Sequence, residues 1–175
     1  MLKNRFKGKS GIVYCISRKD CENLSEVLKR NHGVKCDFYH ADLPYRQRQE
    51  IQSMWMKDEI QVIVATIAFG MGINKKDVRF VIHYSIPKSL EGYVQECGRA
   101  GRDQNKAECI LYYDYNDRKR NDFFIVSNSA STGVRKKENL RALYNILEYC
   151  EEPYLCRRMF QLSFLGEAFD MSHCN

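Results

Sequence analysis

The run Ile12-Val13-Tyr14-Cys15-Ile16 decides how this chain folds. It is continuously apolar, short and rich in β-branched residues, the mark of a strand covered on both faces of a parallel sheet. Ser17 is placed to cap a helix whose apolar positions Cys21, Leu24, Val27 and Leu28 recur at helical spacing, and His32-Gly33 ends it. Cys36 to His40 reads as a second strand, and Pro44 sits where the next helix starts. Ile51, Met54 and Trp55 give that helix its apolar stripe. Gln61 to Thr66 and Val78 to Tyr84 are the third and fourth strands. Pro87 and Ser89 open a helix carrying Tyr93 and Gln95, and Ala107 to Tyr113 is the fifth strand. Strands alternating with helices imply right-handed crossovers, hence an α/β three-layer domain with a parallel sheet and helices on both faces.

In such sheets ligands gather beyond the carboxyl ends of the strands. Ser17 and Arg18 follow the first strand, His40 ends the second and Thr66 ends the third. The stretch Gln95 to Asp103, QECGRAGRD, lies in the crossover between fourth and fifth. All of these positions are expected on one rim. Arg99 and Arg102 stand three apart, a spacing that puts two side chains on one face of a helical turn. Guanidinium groups are planar, always charged and bidentate toward phosphate oxygens. The small residues Gly98, Ala100 and Gly101 between them leave room for another surface.

The chain has 175 residues, enough for one ordinary domain and part of another. Its formal charge of +6 permits a polyanionic partner without demanding one. No apolar run approaches a membrane span, and the basic opening MLKNRFKGKS is not followed by a signal-type apolar stretch. We therefore expect no membrane association and a cytosolic or nuclear setting. In a reducing compartment the eight cysteines are thiols or metal ligands, and Cys15, Cys36 and Cys109 are expected as small buried hydrophobes. Gly8-Lys9-Ser10 imitates the end of a phosphate-binding loop. The full pattern needs a glycine where Lys3 stands and a helix where a strand follows, so the imitation fails. No acidic Walker B box occurs either.

With those residues in view, QECGRAGRD resembles motif VI of superfamily 2 helicases in its RecQ form. Val64 to Lys75 (VATIAFGMGINK) resembles RecQ motif V, Ile12 to Lys19 (IVYCISRK) motif IV, and Tyr39 to Leu43 (YHADL) the segment after it. All four stand in the family's order, and the likeness runs from about Gly11 to the C-terminus, most closely to Bloom-type and plant members. It implies a RecA-like second motor lobe over residues 1–126. Residues 127–175 would then be a linker, SNSASTG at Ser127 to Gly133, and part of a helical zinc-binding subdomain carrying Leu140, Leu143, Tyr144 and Leu147 on one helix. Three departures stand out: Lys76 where proline is usual, Asp42 where glycine is common and Gln104 where glycine usually follows the motif.

The resemblance also implies roles. The function is that of an ATP-dependent DNA helicase moving 3′ to 5′ in recombination and repair. Arg99 and Arg102 would reach ATP and Mg²⁺ held mainly by a first RecA-like lobe that these residues do not include, with Arg102 the finger proper and Gln95 near the γ-phosphate. Gly70, Gly72 and Gly98 would shape the nucleotide side of the cleft, and Asn74 would touch ribose or a water. Single-stranded and forked DNA would meet Ser17, Arg18, His40, Ala65 and Thr66. Cys156 and Cys174 align with the first two of four Zn²⁺ ligands, the other two being expected beyond Asn175. The alternative is a truncated, non-catalytic paralogue or isoform that binds DNA or a partner. Trp55 and the cluster Tyr112, Tyr113 and Tyr115 are expected in core and sheet packing.

Overall fold

A computed structural model describes residues 1–70, 73–129 and 131–170. Its elements follow the expected alternation: β1 (Gly11–Tyr14), α1 (Arg18–His32), β2 (Cys36–Tyr39), α2 (Tyr45–Met56), β3 (Val62–Ala65), β4 (Phe80–His83), α3 (Leu90–Cys97) and β5 (Glu108–Leu111). Three helices come after them: α4 (Tyr115–Ser127), α5 (Gly133–Glu151) and α6 (Arg157–Phe164). Two compact units result, one of residues 1–85 with 96–112, the other of residues 86–95 with 113–175.

The first unit is built on a five-stranded sheet in the order β2-β3-β1-β4-β5. Every neighbouring pair is parallel, so all carboxyl ends share one edge. The register aligns Tyr39, Ala65, Tyr14, His83 and Leu111 as the last row across that edge. Alternate side chains of each strand enter opposite cores. Ile12, Tyr14, Ile63, Ala65 and Val81 join Ile51 and Trp55 of α2 on one face. Val13, Val62, Val64, Phe80 and Ile82 join Cys21 and Leu28 of α1 on the other. This is the three-layer arrangement that the continuous apolar strands demand.

The strands are shorter than their apolar runs because the chains diverge at the carboxyl edge. The amide of Ile16 already donates to Ser85 Oγ at 3.0 Å rather than to a neighbouring strand. Ser17 caps α1, its hydroxyl accepting from the Asp20 amide at 3.1 Å. Gly33 closes the helix in the left-handed conformation at φ 60°, where any side chain would be strained. Val27 departs from the expected stripe and is exposed, whereas Cys21 and Leu28 of the same helix are buried.

Three other expectations are corrected. Cys109 is exposed, because β5 is an edge strand of which neither face is fully covered. Tyr112, Tyr113 and Tyr115 are likewise exposed rather than packed in a core. Tyr113 instead donates to Glu151, and its phenol is pushed up to about 12 by desolvation first and then by that carboxylate. In the second unit, α4 occupies a stretch whose sequence gave no apolar stripe, and only Asn121 on it is buried. Asp114 starts it by accepting from the Asn116 amide, and the Asn121 side chain donates to the carbonyls of Ile86 and Asp117. Of the expected linker, Ser127 ends α4 and Gly133 begins α5. The buried face of α5 is Leu143, Ile146, Leu147 and Tyr149. Tyr144 is exposed on that helix, with the Arg118 guanidinium 5.2 Å from its ring centroid.

Candidate functional site

Arg99 and Arg102 lie just past the end of α3, where the helix gives way to successive turns. Gly101 permits this bend at φ 65° and donates its amide to the Val78 carbonyl at 2.9 Å. The two guanidiniums converge on one segment, the loop after β3. Arg99 Nη1 donates to the Gly70 carbonyl. Arg102 Nη1 donates to the Ile73 carbonyl at 2.7 Å, and its Nε to the Gly98 carbonyl at 3.2 Å. Motif-V-like and motif-VI-like segments, distant in sequence, are therefore tied together by the arginines themselves. Arg99 is half-buried and Arg102 exposed. Among the described residues Arg99 Nε is buried without a hydrogen-bond partner, so it keeps an unused donor beside a cationic group.

Gly70 is required by close approach. A Cβ placed on it would lie 2.3 Å from Arg99 Nη2. Gly70→Ala is thus expected to push the Arg99 guanidinium aside at a stability cost under ~1 kcal/mol, because the far end of a flexible side chain gives way. A changed Arg99 Nε–H NMR signal with a nearly unchanged melting temperature checks this.

The other expected site residues divide. Gln95, Gly98 and Asn74 are exposed. Gly72 lies outside the described residues. Ser17 and Arg18 stand at the carboxyl edge after β1, and the Ser17 hydroxyl is engaged with Asp20 at 2.7 Å. Arg18 pairs with Asp42, the acid that departs from the family pattern, and both side chains are exposed. Thr66 follows β3, its amide donating to the Tyr39 carbonyl at 3.2 Å and its hydroxyl accepting from the Ala68 amide at 3.4 Å. Two residues are not on the rim surface. Ala65 is fully buried inside β3 with its carbonyl taken by the Cys15 amide at 2.8 Å. His40 is 4% exposed, its Nε2 is 3.0 Å from Glu22 Oε1 and its ring stacks on Phe38. A surface role for either side chain conflicts with this burial.

Sequence reading missed Tyr14, His83 and Glu96. His83 and Glu96 are buried, with His83 Nε2 2.6 Å from Glu96 Oε2. The signal was present in the sequence, a histidine inside an apolar strand and a glutamate inside QECGRAGRD, but nothing in it paired them. Beside this site Asp103 accepts from Asn105 and from Arg79, which hold its carboxyl down at about 2.

Zinc ligation is tested by the donors present. Cys156 is half-buried at the start of α6. Cys174 lies outside the described residues. Among the described residues no three His, Cys, Asp or Glu side chains gather as a metal site, whereas a structural Zn²⁺ takes four ligands. The described residues do not complete such a site. After dialysis this chain is expected to hold well under one Zn²⁺, measured by atomic absorption. One zinc retained per chain would mean that Cys156 and Cys174 recruit further donors.

Comparison with known proteins places these observations. Residues 1–104 match the helicase conserved C-terminal domain, and residues 115–175 match the RecQ zinc-binding family. The chain belongs to the helicase C-terminal domain family, in the RecQ type that joins this domain to a zinc-binding region. It is 48% identical to an Arabidopsis thaliana protein named ATP-dependent DNA helicase Q-like 4B, over 94% of this chain and 15% of that protein. It is 45% identical to the Saccharomyces cerevisiae ATP-dependent helicase SGS1 over 99% of this chain and 12% of that protein. It is 46% identical to the Caenorhabditis elegans RecQ-like DNA helicase blm-1 over 99% and 17%. The chain thus spans less than a fifth of the length of each of these relatives. A DEAD box protein crystal structure from Methanococcus jannaschii superposes with a TM-score of 0.59 at 26% identity, covering 82% of this chain and 34% of that one. The parallel α/β fold is RecA-like, followed by the helices of the zinc-binding region.

Proposed function

We propose that this chain acts as the C-terminal motor lobe of an ATP-dependent DNA helicase that moves 3′ to 5′ and serves recombination and repair. The observation that carries the reading is the convergence of Arg99 and Arg102 on the carbonyls of Gly70 and Ile73 at the carboxyl edge of a parallel sheet. Two guanidiniums in one loop cluster, one with an unused buried donor, suit a triphosphate anion. ATP bound at a first lobe would supply the phosphoryl group whose transfer drives movement. Arg102, the more exposed of the two, would neutralise charge developing on that group, and Arg99 would hold the site's shape while offering its free Nε–H. Gln95 would hydrogen-bond near the γ-phosphate. Gly70, Gly72 and Gly98 would keep the backbone low enough for nucleotide approach, with Asn74 on the ribose side.

A translocating motor grips phosphate rather than bases. Ser17, Arg18 and Thr66 would contact single-stranded DNA from the loops after β1 and β3, and the proposed partners are that strand, forked DNA and the first lobe. A nuclear setting agrees with these partners. Zn²⁺ would belong to the zinc-binding region, with Cys156 and Cys174 among its ligands.

The test is a single-stranded DNA-stimulated ATPase assay on this chain alone and on the chain mixed with a separately expressed RecQ first lobe. Turnover only in the mixture supports the reading. Arginine-dependent turnover by the chain alone, or DNA binding without turnover in the mixture, overturns it, the latter in favour of a non-catalytic binding protein.

A further inference from the structure

The turn that carries Arg102 is left-handed at both ends, with φ 65° at Gly101 and 65° at Gln104. Glycine takes that conformation freely, whereas a glutamine is strained by it. Gln104 is one of two non-glycine residues with positive φ among the described residues. Such a residue persists only where its surroundings over-determine it, and Asp103 supplies the hold. Its carboxylate accepts from Arg79 Nη2 at 2.6 Å. From the far side of Gln104 it accepts the Asn105 amide at 3.1 Å and the Asn105 side chain at 3.0 Å. Arg79 also donates to the carbonyls of Asp77, Lys106 and Lys76 at 3.1, 3.2 and 3.4 Å, so its guanidinium is itself fixed. The amides of Gly101 and Asp103, the two neighbours of Arg102, donate to the carbonyls of Val78 and Lys76 at 2.9 and 3.3 Å. The Arg102 side chain reaches Ile73, three residues before Lys76.

We infer that Asp103 is a positioning residue for Arg102: clamped by Arg79 and Asn105, it holds the left-handed turn and so fixes the base from which that guanidinium reaches out. This inference deepens the motor-lobe reading above and rests on it for its effect on turnover. The physical reason is entropic. An arginine side chain has four rotatable bonds, and ordering it costs as much as most single contacts return. An exposed guanidinium that must meet an anion on another lobe is preorganised only if its backbone is fixed first. Both carboxylate oxygens of Asp103 are filled by donors of this chain, so the residue is placed to shape the turn rather than to touch a ligand. Its clamp on Arg79 also explains how a strained glutamine is kept where a glycine would be at ease.

The test uses Asp103→Ala, which deletes the carboxylate and leaves Arg102 in the chain. In the mixture with a RecQ first lobe, kcat for ATP is expected to fall roughly tenfold while KM stays within about twofold, the signature of a group misplaced for the transition state. Adding Gln104→Gly removes the strain that the carboxylate opposes and is expected to restore most of the lost kcat. In the chain alone, the Arg102 Nε–H resonance, assigned by its disappearance in Arg102→Lys, is expected to lose its protection from exchange in Asp103→Ala. A merely structural role would lower the melting temperature and leave that resonance and kcat unchanged, which overturns the inference. A kcat loss that Gln104→Gly does not recover, with the resonance unchanged, also overturns it and puts Asp103 itself against the nucleotide or the first lobe. If Arg102→Ala abolishes turnover but Asp103→Ala leaves kcat intact, positioning by Asp103 is wrong and the motor reading stands. If Arg102→Ala keeps full turnover, the motor reading fails, and the resonance alone decides the positioning. Should Asp103→Ala not fold, Asp103→Asn keeps the shape and turns one acceptor into a donor facing donors. A kcat loss with KM retained there supports the arrangement, and no loss refutes it.

Discussion

Arg102→Ala is expected to lower ATP turnover by about 10³- to 10⁵-fold in the mixture with a first lobe, the range over which a trans-acting arginine operates. Its side chain is exposed and its two partners in the chain are backbone carbonyls, those of Ile73 and Gly98. Removing it forfeits only these two bonds, about 1–3 kcal/mol each at most, so the fold should persist. Single-stranded DNA affinity should stay within about threefold, because a single exposed charge removed away from the strand acts only through a screened field. Parallel ATPase and fluorescence-anisotropy titrations measure both. Equal loss of turnover and of DNA binding would place Arg102 on the DNA rather than on the nucleotide.

The second large effect is on stability. Trp55→Ala should cost about 3–5 kcal/mol, the range for truncating a large aromatic in a core. Trp55 is fully buried, sits edge-on to Phe69 at 5.4 Å and donates its indole N–H to the Gln61 carbonyl at 3.2 Å. Lys75 lies over the ring, its Nζ 5.7 Å from the centroid, anchored by Asp58 at 2.8 Å and Asp77 at 3.2 Å. Burial by itself would lower the Lys75 pKa, but the bonds to those two acids outweigh it and the ammonium is held charged. One tryptophan thus joins α2 to the segment that follows β3 and carries the arginine carbonyls. Urea denaturation followed by circular dichroism reads the loss. If Trp55 were instead a platform for bases, the variant would lose DNA binding and keep its stability.

How much of this was legible beforehand depends on the range of the interaction involved. IVYCI announced a two-sided strand because burial on both faces forbids the polar alternation of a half-exposed one. Ser17 and Gly33 announced the ends of α1 because capping is local chemistry. The rim positions of Ser17, Arg18 and Thr66 followed from strand polarity alone. His40 failed at the same step. The spacing put it at the edge, but whether an edge histidine faces water or Glu22 depends on a helix eighteen residues away. The tyrosines after β5 failed for a related reason, since an aromatic cluster reads as core unless one knows that its strand lies at the sheet's edge. α4 escaped notice because it buries almost nothing and so carries no stripe.

The sequence by itself determined the α/β alternation, the family, the two arginines and the single edge on which they were expected. Those follow from periodicity, local capping and residue chemistry, which act over a few positions. Only the tertiary structure decided what the arginines hold. Gly70 and Ile73 stand 29 residues from Arg99 and Arg102 respectively, and Tyr14 and Glu96 meet through His83 from opposite ends of the unit. Such contacts are set by strand order and register, and strand order arises when the whole sheet closes over its two cores rather than in any one stretch of residues.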